Sequence, residues 1–133
     1  MTSAFLFDLD GTLYTSEGVI PGAVDAVGAL RRRGVPLRFV TNTTTRRACR
    51  LCCAASPRVT FFDSVVLSLG LRPPFSDGER PVMIGDDLWN DIEGAQRAGL
   101  SAWLVRTGKF RADVLESSTI TPDRVIDSVA AVI

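Results

Sequence analysis

Short apolar runs, each ending in a polar cluster, recur along the chain. AFLFD (4–8), PLRFVT (36–41), VMIG (82–85) and SAWLV (101–105) are such runs. A strand covered on both faces by helices is apolar almost throughout, so these segments predict strands of a parallel sheet. Helical patterns lie between them. Over 22–33, Val24, Val27 and Leu30 recur at three-residue spacing; Pro21 suits the first turn, and Gly34 fits the position just past the end. A helix is expected over 45–54, with Pro57 interrupting it. VTFFDSVVLSL (59–69) is ambiguous between helix and strand, and its length and context favour a helix. A further helix over 90–98 closes at Gly99, and 111–116 suggests a helical turn. The end, RVIDSVAAVI, predicts a short strand or extended run and then a terminal helix. The segments 11–21 and 72–81 are turn-rich or loop, from their glycines and prolines.

Strands alternating with helices predict an α/β fold: a doubly wound, mostly parallel sheet with helices on both faces. The 133 residues suit one domain, and a hydrophobic fraction of 46% is enough for a core. Fifteen basic residues balance fifteen acidic ones, so nothing in the charge points to nucleic acid. The densest basic run, Arg31–Arg33, falls in the last turn of a predicted helix, where cations suit the helix dipole. No apolar stretch approaches the roughly 20 residues of a membrane span, and no signal-peptide pattern opens the chain. A cytoplasmic protein with no membrane partner is the expectation. The sequence has no histidine, so Cys49, Cys52 and Cys53 are read as reduced thiols on a helix.

The polar residues at the strand ends carry the chemistry. Asp8, Thr41, Gly85 and Asp86 all fall at carboxyl ends, where open parallel sheets bind ligands. Asp8 and Asp10 are one residue apart, a spacing that in a strand directs both side chains to one side. Asp86, Asp87 and Asp91 follow the third strong strand. Burying so many carboxylates costs several kcal/mol unless a cation relieves them. A set of hard oxygen ligands suits Mg²⁺, which commonly partners a phosphate. Asp87 or Asp91, taken singly, also fits a helix cap.

The motif DLDGTLY resembles the first signature of the haloacid dehalogenase superfamily of phosphohydrolases. FVTNTT resembles the second signature, and VMIGDDLWNDIEGAQRAG the fourth. VRTGKFR and PDRVIDSV are similar to the C-terminal part of the subgroup that carries a large cap domain, which includes the 4-nitrophenylphosphatases. The resemblance implies a Rossmann-like core and an Mg²⁺-dependent phosphatase acting on a small phosphorylated substrate. It implies Asp8 as nucleophile and Asp10 as general acid and base. Asp8, Asp86 and the backbone carbonyl of Asp10 would hold the metal, with Asp91 binding it or orienting its waters. Thr41 and Asn42 would bind phosphoryl oxygens.

Two departures from that pattern stand out. The third signature supplies a lysine, but AASPRVTFFDS places Ser56 there. Arg58 is the expected substitute, with Arg46 as the other nearby cation. Lys109, the one lysine in the chain, follows a strand two spacings from Asp8 and is expected to lie away from the site. The second departure is a short stretch where the subgroup inserts its cap, so residues 1–133 read as a single truncated core domain. Loss of an edge strand would expose Val40. The alternative to a phosphatase is a non-catalytic relic that keeps the fold and binds metal or a partner protein. The oligomeric state stays open.

Overall fold

The computed structural model describes residues 4–40, 57–72, 74–76 and 78–133; within the second of these segments, side chains are described at 62 and from 64 onward. A five-stranded, all-parallel sheet forms the centre, in the order β4 (Leu37–Val40), β1 (Phe5–Asp8), β5 (Val82–Gly85), β6 (Ser101–Val105), β7 (Arg124–Ile126). A small antiparallel hairpin, β2 (Tyr14–Thr15) with β3 (Gly18–Val19), leaves the end of β1. The sequence pattern showed that segment only as turns.

Every residue of β1 and β5 is buried, as central parallel strands require. Side chains alternate between the faces of the sheet. Leu6, Met83, Ala102 and Leu104 point to one layer, where Phe62 and Val66 of α2 (Pro57–Ser68) and Ile92 and Ala95 pack. Phe5, Phe7, Ile84 and Val105 point to the other, against Ala23, Ala26 and Leu30 of α1 (Ala23–Arg32) and Val129 of a terminal 3₁₀ turn, Val129–Val132. Phe62 is fully buried; truncating such a ring to alanine costs about 3–5 kcal/mol. The expected strands, the helix over 22–33 and the turn at 111–116, here α4 (Ala112–Ser117), are thus observed.

Some boundaries differ. Pro57 opens α2, since proline is well tolerated in a first turn. The helix expected over 45–54, with the three cysteines, lies outside the described residues. The helix expected over 90–98 begins earlier, as a π-helical stretch, Leu88–Glu93, that runs into α3 (Gly94–Arg97). Val40 is buried, not exposed, because it faces the α2 layer; Phe39 points the other way and is 42% exposed. No helix among the described residues is long and apolar enough to cross a membrane.

Candidate active site

Asp8, Asp86 and Asp91 converge at the carboxyl edge of the sheet. All three are buried, and each offers a carboxylate oxygen within 4.8 Å of the others. β1 carries Asp8 as its last residue, and Asp86 follows β5 directly. Asp91 reaches the same point from the π-helical stretch. It lies over Gly85, whose missing side chain makes the space: a Cβ there would clash with the Asp91 side chain. The Asp87 N–H donates to Asp91 Oδ2 at 3.2 Å, tying the two segments together.

Charge crowding shows in Asp8. Its carboxyl is pushed up to about 9 by burial first, then by the Asp91 charge and by a hydrogen bond to, and the charge of, Asp86; the Leu9 N–H acts in the opposite sense. A carboxyl so placed keeps its proton at neutral pH unless a cation arrives. Three buried hard-oxygen donors fit Mg²⁺ and suit no soft metal.

Asp87 has a different job. Burial alone would raise its pKa, but hydrogen bonds from Asn90 and Trp89 and the Lys109 ammonium outweigh that and hold it below the usual carboxylate range. Its Oδ1 accepts from the Trp89 and Asn90 N–H groups, each at 3.0 Å, and its Oδ2 accepts from the Asn90 amide at 2.9 Å. That is a helix cap, and its oxygens are occupied.

Asp10 departs from the expected arrangement. β1 stops at Asp8, so two-residue alternation does not carry on; Asp10 is exposed, forms a bridge with Tyr14, and its side chain is not in the buried cluster. Thr41, Asn42, Arg46 and Ser56 lie outside the described residues. Arg58 is in the first turn of α2, and its side chain is not among those described. Arg38, near the start of β4, donates to the Ser68 carbonyl at 3.2 Å. The bond places the C-terminal end of α2 beside the start of β4, away from the carboxyl edge.

The loop after β6 is the feature that sequence reasoning missed. β6 is two strands from β1, yet residues 106–110 fold back across the end of β5. The Thr107 hydroxyl donates to the Gly11 carbonyl at 2.6 Å, and the Lys109 N–H donates to Asp86 Oδ2 at 2.8 Å. Lys109 therefore borders the site, contrary to the expectation of distance. The glycine before it in TGK was the available signal: Gly108 has φ +62°, and a Cβ there would strike both Asp86 and the Gly11 backbone. Beside the cluster opens a cavity of about 140 Å³, whose lining includes Asp86, Asp87, Trp89, Lys109, Phe110 and Arg111.

Comparison with known families accounts for both halves of the chain. The HAD-hydrolase-like family model matches residues 54–132, and the haloacid dehalogenase-like hydrolase model matches 5–56. The chain belongs to the haloacid dehalogenase-like hydrolases. Phospholysine phosphohistidine inorganic pyrophosphate phosphatase from Xenopus laevis is 39% identical over 74 residues, which are 56% of this chain and 26% of that protein. Haloacid dehalogenase-like hydrolase domain-containing protein 2 from Bos taurus is 39% identical over 77 residues, 58% of this chain and 28% of the relative. The matched region thus spans about a quarter of the length of these relatives. Among solved structures, D,D-heptose 1.7-bisphosphate phosphatase from B. bronchiseptica, complexed with magnesium and phosphate, superposes with a TM-score of 0.67 at 18% identity, over 97% of this chain and 95% of that one. A possible sugar phosphatase from Cytophaga hutchinsonii gives 0.70 at 15% identity, over 97% and 94%. At such identities the likeness establishes the haloacid dehalogenase-like fold.

Proposed function

We propose that this chain is an Mg²⁺-dependent phosphatase, acting on small phosphate esters or phosphoramidates through an aspartyl-phosphate on Asp8. The observation that carries the reading is the convergence of three buried carboxylates, Asp8, Asp86 and Asp91, at the carboxyl edge of the sheet. The phosphatases among its relatives support it.

Asp8, Asp86 and Asp91, with the Asp10 carbonyl, would hold Mg²⁺, which when bound supplies positive charge among the carboxylates and an incoming phosphate. With its proton displaced, an Asp8 carboxylate oxygen attacks phosphorus. The bond to the leaving oxygen or nitrogen breaks, and Asp10 gives that atom its proton. Asp10 then takes a proton from water, the water oxygen attacks phosphorus, and the bond to Asp8 breaks to release phosphate. Exposure on a loop just past β1 suits Asp10 to this exchange, since it must gain and lose protons in turn. Thr41 and Asn42 are assigned to phosphoryl oxygens, and Arg58, at the start of α2, to the same group.

Hydrolysis of p-nitrophenyl phosphate with Mg²⁺ and with EDTA tests the reading. Turnover that needs Mg²⁺ and disappears in Asp8→Asn is expected. Turnover that survives Asp8→Asn overturns Asp8 as nucleophile. A wider panel of phosphate esters, phosphoramidates and pyrophosphate then defines the substrate class.

A further inference from the structure

Lys109 is held at the carboxylate cluster by its backbone and not by its side chain. Its N–H donates to Asp86 Oδ2 at 2.8 Å, and the neighbouring Thr107 is tied to Gly11. The side chain is 70% exposed, and its ammonium lies 3.7 Å from Asp87 Oδ2. An exposed ion pair of that kind is worth at most about 1 kcal/mol. Asp87 already accepts three hydrogen bonds from Trp89 and Asn90, so it keeps its partners when the ammonium leaves.

There is room for the ammonium to act elsewhere. Asp86, Asp87, Lys109 and Arg111 line the cavity of about 140 Å³, together with apolar side chains that include Trp89 and Phe110. A water molecule occupies about 30 Å³, so there is space beside Asp86 for the ammonium and the atoms it would contact. A phosphate approaching three clustered carboxylates needs positive charge aimed at its oxygens. A compact ammonium on a flexible stem can supply it from an anchored backbone.

We propose that Lys109 binds the phosphoryl group of the substrate, with its backbone N–H ordering Asp86 and its ammonium contacting phosphoryl oxygen. The inference rests on the phosphatase reading above. The two roles separate, because a side-chain substitution leaves the N–H in place. Lys109→Met is therefore expected to retain the Mg²⁺-induced rise in Tm while losing at least about tenfold in affinity for inorganic phosphate, titrated calorimetrically in Mg²⁺. KM for p-nitrophenyl phosphate should rise with it, and Lys109→Arg should recover part of the loss. A purely structural role would lower Tm and the Mg²⁺ response and leave phosphate affinity unchanged. Wild-type phosphate affinity in Lys109→Met, with wild-type turnover intact, overturns the assignment and spares the phosphatase reading. A wild-type protein that neither binds phosphate nor hydrolyses the ester overturns both.

Discussion

Gly108 packs against Gly11 so closely that a Cβ on Gly108 would fall 2.6 Å from the Gly11 Cα. The two loops that flank Asp86 are thereby joined backbone to backbone, one from the end of β1 and one from the end of β6. Gly108→Ala adds the atom that this contact excludes and places alanine at φ +62°. Left-handed backbone in a non-glycine residue costs about 1–3 kcal/mol before any clash. The variant should melt several degrees below wild type, at about 4 °C per kcal/mol, and lose its thermal response to Mg²⁺. A Tm and Mg²⁺ response equal to those of wild type would show that the loop does not close on Asp86.

Mg²⁺ should stabilise the protein. A ligand that binds only the folded state adds about 2.7 kcal/mol at a hundred times its Kd, and here it also relieves the repulsion that raises Asp8. Differential scanning fluorimetry at increasing Mg²⁺ should show a saturating rise in Tm. Asp86→Ala or Asp91→Ala should abolish the rise, whereas Asp87→Asn should keep it, because the Asp87 oxygens are engaged in capping.

The metal-free protein should lose stability as pH rises. Folded Asp8 holds its proton up to about 9, against an ordinary value of 3.8. Between those values the unfolded chain binds fewer protons than the folded one, so stability falls with increasing pH across that window. In EDTA, Asp8→Asn removes this contribution. Its Tm should exceed that of wild type by a margin that widens from pH 5 to pH 8, the pH values being about those spanned by the shift. A margin constant with pH would mean that Asp8 does not carry the proton.

Asp8→Asn and Asp10→Asn should differ in their effects on turnover. Removing a nucleophile eliminates the covalent route, so Asp8→Asn is expected to reduce p-nitrophenyl phosphate hydrolysis by more than about 10³-fold. Removing a general acid and base typically costs about 10²–10⁴. The p-nitrophenolate group leaves with little help from a proton, so the first half-reaction should tolerate Asp10→Asn better than the second. Single-turnover measurements should then detect phosphate accumulating on Asp8.

The amino-acid sequence by itself determined the strands, their parallel arrangement and the positions of Asp8, Asp86 and Asp91. Central parallel strands must be apolar on both faces, so AFLFD, VMIG and SAWLV are legible as local runs, and the acids that end the first and follow the second are marked by position. The tertiary structure decided what spacing could not. Asp10 left the cluster because β1 ends at Asp8, which cancels the two-residue alternation. Asp87 and Asp91 parted roles because the π-helical stretch turns one to its own N–H groups and the other over Gly85. Val40 is covered by the α2 layer, although β4 is the outermost strand among the described residues. Lys109 came to the site because the loop after β6 crosses β5 and packs on Gly11, a contact between residues nearly a hundred positions apart. Local pattern encodes burial and secondary structure through periodicity; such a long-range approach depends on how whole loops pack, and no periodicity records it.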